Sequence, residues 1–208
     1  MRDGERRGGA PVEMGSERLE AFSDGVMAVI ITILALELRP PEHATLDSLG
    51  HEVPSLFIYV LAFTFIAIYW NNHHHLLRAT RRISGGVMWA NMSLLFCLSL
   101  IPVTTEWLRA QYQEPLAAAS FGVVGLLAAI AFTVLVRAII RANGRDSLVG
   151  MAISSDLKGK ASLVMYAVGV GLAFIEVWIA YALYAAVAIM WMVPDRRFTH
   201  QHDAAAEA

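Results

Sequence analysis

Several residues able to do chemistry lie inside apolar stretches. The segment "EAFSDGVMAVIITILALEL", Glu20 to Leu38, carries Ser23 and Asp24 near one end, Thr32 in the middle and Glu37 at the other end. A second apolar run ends in "YWNNHHHLLR", with Trp70, His73, His74 and His75, and a third holds Asn91. Carboxylate, imidazole, amide and hydroxyl groups in apolar segments are costly, so they pair with one another or line a water path. The chemistry on offer is a hydrogen-bonded knot, a proton relay or a metal site. Adjacent helical residues point about 100° apart, so His73, His74 and His75 cannot converge on one ion, whereas paired helical ligands recur at i, i+3 or i, i+4. Neither a cysteine pair nor a second His cluster adds ligands, and no metal site is expected.

The elements that must position these residues follow from composition. Of 208 residues, 57% are hydrophobic and only 16% charged. The mean hydropathy is +0.53. A soluble domain is about a quarter charged, so the chain reads as an all-α protein of the lipid bilayer. The net charge of -2 gives no footprint for nucleic acid. The single cysteine, Cys97, excludes an intrachain disulfide framework.

A spanning helix needs about 20 largely apolar residues. Segments 19–38, 54–77, 86–108 and 116–140 meet this, with a kink expected at Pro102. The block 161–193 is too long for one span and is interrupted by Glu176, so it reads as a hairpin of two short helices, 161–175 and 177–193. The predicted organisation is a six-span domain over 18–194. Flexible cytoplasmic tails are expected over 1–17 and 195–208, and a loop over 141–160. Of the 16 basic residues, all but Arg39 and Arg109 then fall on one side, which places both termini in the cytoplasm.

That topology puts Asp24, His73, His74 and Asn91 at one depth, on three neighbouring spans. Trp70 either packs over this knot or faces lipid. Further along the first span, Val29, Ile33 and Leu36 recur at i, i+4, i+7. Such a stripe packs on neighbours or lipid, with Glu37 an interfacial carboxylate. If copies of the helix surround an axis, it instead stacks into apolar rings with an acidic outer mouth at Glu37. A rival reading is a proton-coupled carrier using Asp24 and His74. No nucleophile or metal set supports an enzyme.

"RLEAFSDGVMAVIITILALEL", Arg18 to Leu38, resembles the first helix of the transmembrane protein 175 family, potassium channels of animal endosomes and lysosomes with bacterial relatives. The signature residues are Arg18, Phe22, Ser23 and Asp24. "YWNNHH" and "WANMSLLFCLSLIPVTTEWL" resemble the second and third helices. The resemblance implies one six-helix repeat per chain, a homotetramer in a bacterial plasma membrane, and a pore lined by the first helix. It implies a constriction at Val29, Ile33 and Leu36, where Val29 replaces the commoner isoleucine, and a role for Thr32 in ion selection. Arg18, Phe22, Ser23, Asp24, Trp70, His73, His74 and Asn91 would hold the helices together. The permeant ion would be K+, with other monovalent cations less favoured, and no cofactor is implied. The sequence lacks TVGYG, so selection by a ring of filter carbonyls is excluded.

Overall fold

A computed structural model describes residues 16–41, 43–152 and 157–192. Of the two expected tails, 1–15 and 195–208 lie outside the described residues, as do 193–194 at the end of the expected six-span domain. The described chain is all-helical: α1 (Ser16–Leu36), α2 (Leu46–His51), α3 (Val53–Arg78), α4 (Gly85–Ser99), α5 (Ile101–Ala110), α6 (Pro115–Asn143), α7 (Leu148–Ala152), α8 (Leu157–Leu172) and α9 (Val177–Met192). Among the described residues, four helical stretches are long and apolar enough to cross a membrane: α1, α3, the α4–α5 unit and α6.

Local chemistry explains the boundaries. Ser84 caps α4 by accepting from the Val87 N–H at 3.3 Å, and Thr45 caps α2 through the Ser48 N–H at 3.2 Å. Proline occupies the first turn of α3, α5 and α6, where its missing N–H costs no bond. Pro102 breaks the third stretch at Leu100, and α4 and α5 meet there. Gly144, at φ +91°, ends α6 in a conformation that L side chains avoid.

The segment 141–160, expected to be a loop, is partly helical. The α6 helix runs on to Asn143, and α7 forms where Ser147 accepts from the Gly150 N–H at 3.2 Å. The hairpin α8–α9 turns at residues 173–176, with each arm 16 residues long. At about 1.5 Å per residue each arm is about 24 Å, short of a hydrocarbon layer of about 30 Å.

The core forms where α6 packs along α4, α5 and α8, while α1 lies against α3, α4 and α5. Tyr166 and Tyr184 fill the middle of the α6–α8–α9 layer. Glycines make their space: a Cβ on Gly122 would lie 2.0 Å from Tyr184 Oη, and one on Gly125 2.6 Å from Tyr166 Cε1. Trp191 Nε1 donates to Ser162 Oγ at 2.8 Å and ties α9 back to α8. Large apolar side chains remain exposed along α3, α4, α6 and α9, as lipid-facing helices require.

Candidate functional site

The polar residues of the first three apolar stretches assemble into two groups. The deeper one is a chain of hydrogen bonds through α1, α3 and α4. Ser23 Oγ donates to the Leu19 carbonyl at 2.8 Å, one turn back. Asn91 Nδ2 donates to Ser23 Oγ at 2.9 Å, and Asn91 Oδ1 pairs with His73 Nε2 at 2.6 Å. Because the amide oxygen only accepts, His73 Nε2 is the donor of that bond. Ser23, His73 and Asn91 are all wholly buried. A helix-borne amide with a donor on one side and an acceptor on the other fits a serine and an imidazole without leaving its own groups unpaired.

The second group lies beside it and is only part-buried. Trp70 Nε1 donates to Asp24 Oδ1 at 2.9 Å, and the indole stacks on His74 with ring centroids 5.6 Å apart. His74 Nδ1 stands 2.7 Å from Glu20 Oε1, an ion-pair distance. Asp24 and His74 therefore do not join the Ser23–Asn91–His73 chain; each takes its own partner. Glu20 is a member that sequence reasoning did not single out, although it sits one turn before Asp24 on the same face. Ligand atoms of Glu20, Asp24 and His74 lie within 4.8 Å of one another. That donor set suits a divalent ion and equally suits a plain carboxylate–imidazole contact. Arg18 and Phe22 are exposed and belong to neither group.

The opposite face of α1 is bare. Met27, Ile30 and Leu34 are buried against the bundle, whereas Val29 is 56% exposed, Ile33 40% and Leu36 84%. Thr32 is also exposed, and its hydroxyl donates to the Val29 carbonyl at 2.8 Å, which leaves its oxygen free to accept. An open groove of about 600 Å³ runs along this face, between Phe22, Gly25, Val29 and Ile33 on one side and Pro102 and Val103 on the other. Its floor is apolar, with Glu37 at one end.

At that end Arg109 of α5 ties α1 to its neighbours. One Nη donates to the Glu37 carbonyl at 2.5 Å and to Glu106 Oε2 at 2.9 Å, and its Nε donates to Ser55 Oγ of α3 at 2.9 Å. Arg39 adds a 3.7 Å contact with Glu106. The Arg109 side chain is only 8% exposed. Cationic donors at a helix C-terminus satisfy its orphan carbonyls and oppose its dipole. Sequence reading counted Arg109 only as an outlying charge, because no local pattern links it to Glu37.

The family described as endosomal/lysosomal potassium channel TMEM175 matches residues 18–102. A protein named as a potassium channel from Chryseobacterium sp. (strain P1-3) is 42% identical over 184 residues, covering 88% of this chain and 96% of that protein. Another protein so named, from Chamaesiphon minutus, is 30% identical over 198 residues and 95% covered. A crystal structure of a lysosomal potassium-selective channel TMEM175 homolog from Chamaesiphon minutus matches with a TM-score of 0.76 at 28% identity, over 86% of this chain and 96% of that one.

Proposed function

This chain belongs to the TMEM175 family, and from that premise we propose that it is a potassium-preferring cation channel. Four copies assemble around an axis, each contributing α1 to the pore wall. The observation that carries this reading is the division of α1 into two faces. One is bonded into the bundle through Ser23; the other leaves Val29, Ile33 and Leu36 exposed, with Val29 and Ile33 along an open groove. Apolar side chains stacked in rings make a neck that resists wetting and strips water from an entering ion. K+ gives up its hydration more readily than Na+, so such a neck favours it. The Thr32 hydroxyl oxygen, free to accept, replaces part of the lost shell. Glu37 gathers cations at the outer mouth. Six spans, with both termini in the cytoplasm of a bacterial cell, complete the arrangement, and no resident cofactor takes part.

The test is passive cation flux from liposomes under a potassium gradient, compared with sodium, for the wild-type chain and for Ile33→Ser and Leu36→Ala. Potassium-favouring flux that rises in the substituted chains is expected. Equal flux at equal reconstitution would remove these side chains from the neck. Saturable uptake with fixed proton stoichiometry would favour instead a carrier built on Asp24 and His74.

A further inference from the structure

Asn143, the last residue of α6, spends three of its four side-chain hydrogen bonds on the connection between α3 and α4. Its Oδ1 accepts from the Arg81 N–H at 3.2 Å and the Arg82 N–H at 2.8 Å. Its Nδ2 donates to the Arg82 carbonyl at 3.1 Å and to the Ile139 carbonyl at 3.0 Å. Every donor and acceptor of the amide is used. The connection is thereby fixed against the end of α6, where Gly144, at φ +91°, ends the helix.

The consequence is a rim of five guanidinium-bearing residues. Arg78 ends α3, Arg81 and Arg82 lie on the fixed connection, and Arg141 and Arg145 flank Asn143. All five are exposed. Among the described residues none of their side chains has a carboxylate within ion-pair distance or a hydrogen bond. Asp146 is the one carboxylate adjacent in the chain, and it too is exposed and unpaired. A fixed backbone carrying unpaired guanidiniums suits a phosphate, whose oxygens accept the planar fork of arginine.

Two further features locate the source of that phosphate. The rim caps the ends of α3 and α6, two of the helices apolar enough to span a bilayer. Trp89, one turn into α4 from the same connection, is 77% exposed, and exposed tryptophan marks headgroup depth. We propose that this rim, organised by Asn143, holds the phosphate of an anionic phospholipid headgroup. The proposal rests on the chain's membrane placement and not on conduction, so its failure would leave the flux experiment untouched.

The test is a titration of the full chain in neutral detergent with phosphatidylglycerol or phosphatidylcholine, counting bound lipids by native mass spectrometry. Phosphatidylglycerol should bind in preference. Arg82→Gln should weaken it about fivefold, the effect of one arginine near an anionic surface. Arg39→Gln removes the same charge at the opposite end of the bundle and should change nothing. Asn143→Ala changes no charge but frees the connection, and should weaken binding by about the same factor as the loss of one arginine. Inorganic phosphate should not displace the lipid. Equal binding of the two lipids, wild-type binding by Asn143→Ala, or equal losses for Arg82→Gln and Arg39→Gln would overturn the proposal. Displacement by inorganic phosphate would assign the rim to a soluble anion instead and overturn it equally. Should Asn143→Ala fail to fold, the contrast between Arg82 and Arg39 still decides.

Discussion

Replacing Asn91 with alanine tests the buried chain at the link that joins three helices. Asn91 is wholly buried and bonds Ser23 on α1 and His73 on α3 from its own place on α4. Truncation strands the two partners unequally. His73 Nε2 loses its only acceptor, whereas Ser23 Oγ keeps its bond to Leu19 and loses an incoming donor. A buried polar group left unpaired costs about 1–3 kcal/mol in soluble proteins. Hydrogen bonds between membrane helices measure about 0.6 kcal/mol on average and up to about 1.7 kcal/mol, because the unfolded reference also finds partners. One stranded donor and one weakened acceptor therefore place Asn91→Ala at about 2 kcal/mol destabilising. The assay is equilibrium unfolding in mixed micelles, read by tryptophan fluorescence. A double-mutant cycle with Ser23→Ala isolates the Asn91–Ser23 bond, with a coupling of about 0.6–1.7 kcal/mol expected. Asp24→Ala should cost less than Asn91→Ala, because Asp24 and Trp70 are not fully buried. A cost for Asn91→Ala below about 0.5 kcal/mol, the scatter of surface substitutions, would refute the reasoning.

Other substitutions probe other parts of the fold by the same unfolding measurement. Arg109→Lys keeps the charge but cannot reach Ser55, Glu106 and the Glu37 carbonyl together, so a loss of about 1–3 kcal/mol is expected; a neutral outcome would show that charge alone matters at that end. Gly122→Ala drives a methyl into Tyr184 and Val170 and should cost about 1–3 kcal/mol. Gly25→Ala meets nothing within 4 Å in its own chain and should leave the unfolding midpoint of the isolated subunit unchanged or slightly raised. Equal midpoints for the Gly122 and Gly25 variants would contradict the packing described for the tyrosine layer.

What the sequence made legible divides along physical lines. Asp24, His73, His74 and Asn91 could be placed at one depth because span direction sets depth, and depth is a one-dimensional quantity that hydropathy and charge determine. Their division into the Ser23–Asn91–His73 chain and the Asp24 and His74 contacts depends on rotation about each helix axis, which depth does not fix. Glu20 was passed over for a related reason: near the start of an apolar run a glutamate reads as an interfacial charge until an imidazole on another helix meets it. The break at Pro102 was legible because proline acts on its own backbone. Arg109 and Asn143 were not, since each bonds a backbone group far away in sequence, with no side-chain pattern at the receiving end. An Asn–Gly pair closing a helix was the one available signal for Asn143, and it marks a helix end, not a partner.

The way α1 is held bears on the pore role proposed for it. Its polar ties are confined to its ends: Ser23 to Asn91 and Asp24 to Trp70 in the early turns, and Arg109 on the Glu37 carbonyl after the last. Between them Met27, Ile30 and Leu34, joined by the partly buried Val26 and Ile31, engage the bundle through apolar contacts that have no fixed direction. Rotation or sliding of the middle of α1 therefore breaks no hydrogen bond to another helix, whereas displacement of either end must break several. The side chains proposed for the neck, Val29 and Ile33, lie in that middle stretch, and Leu36 adjoins the outer tie. If α1 lines a pore as proposed, a change at the neck would be least costly as a movement of α1 between its tied ends, confined to the stretch that carries Val29 and Ile33.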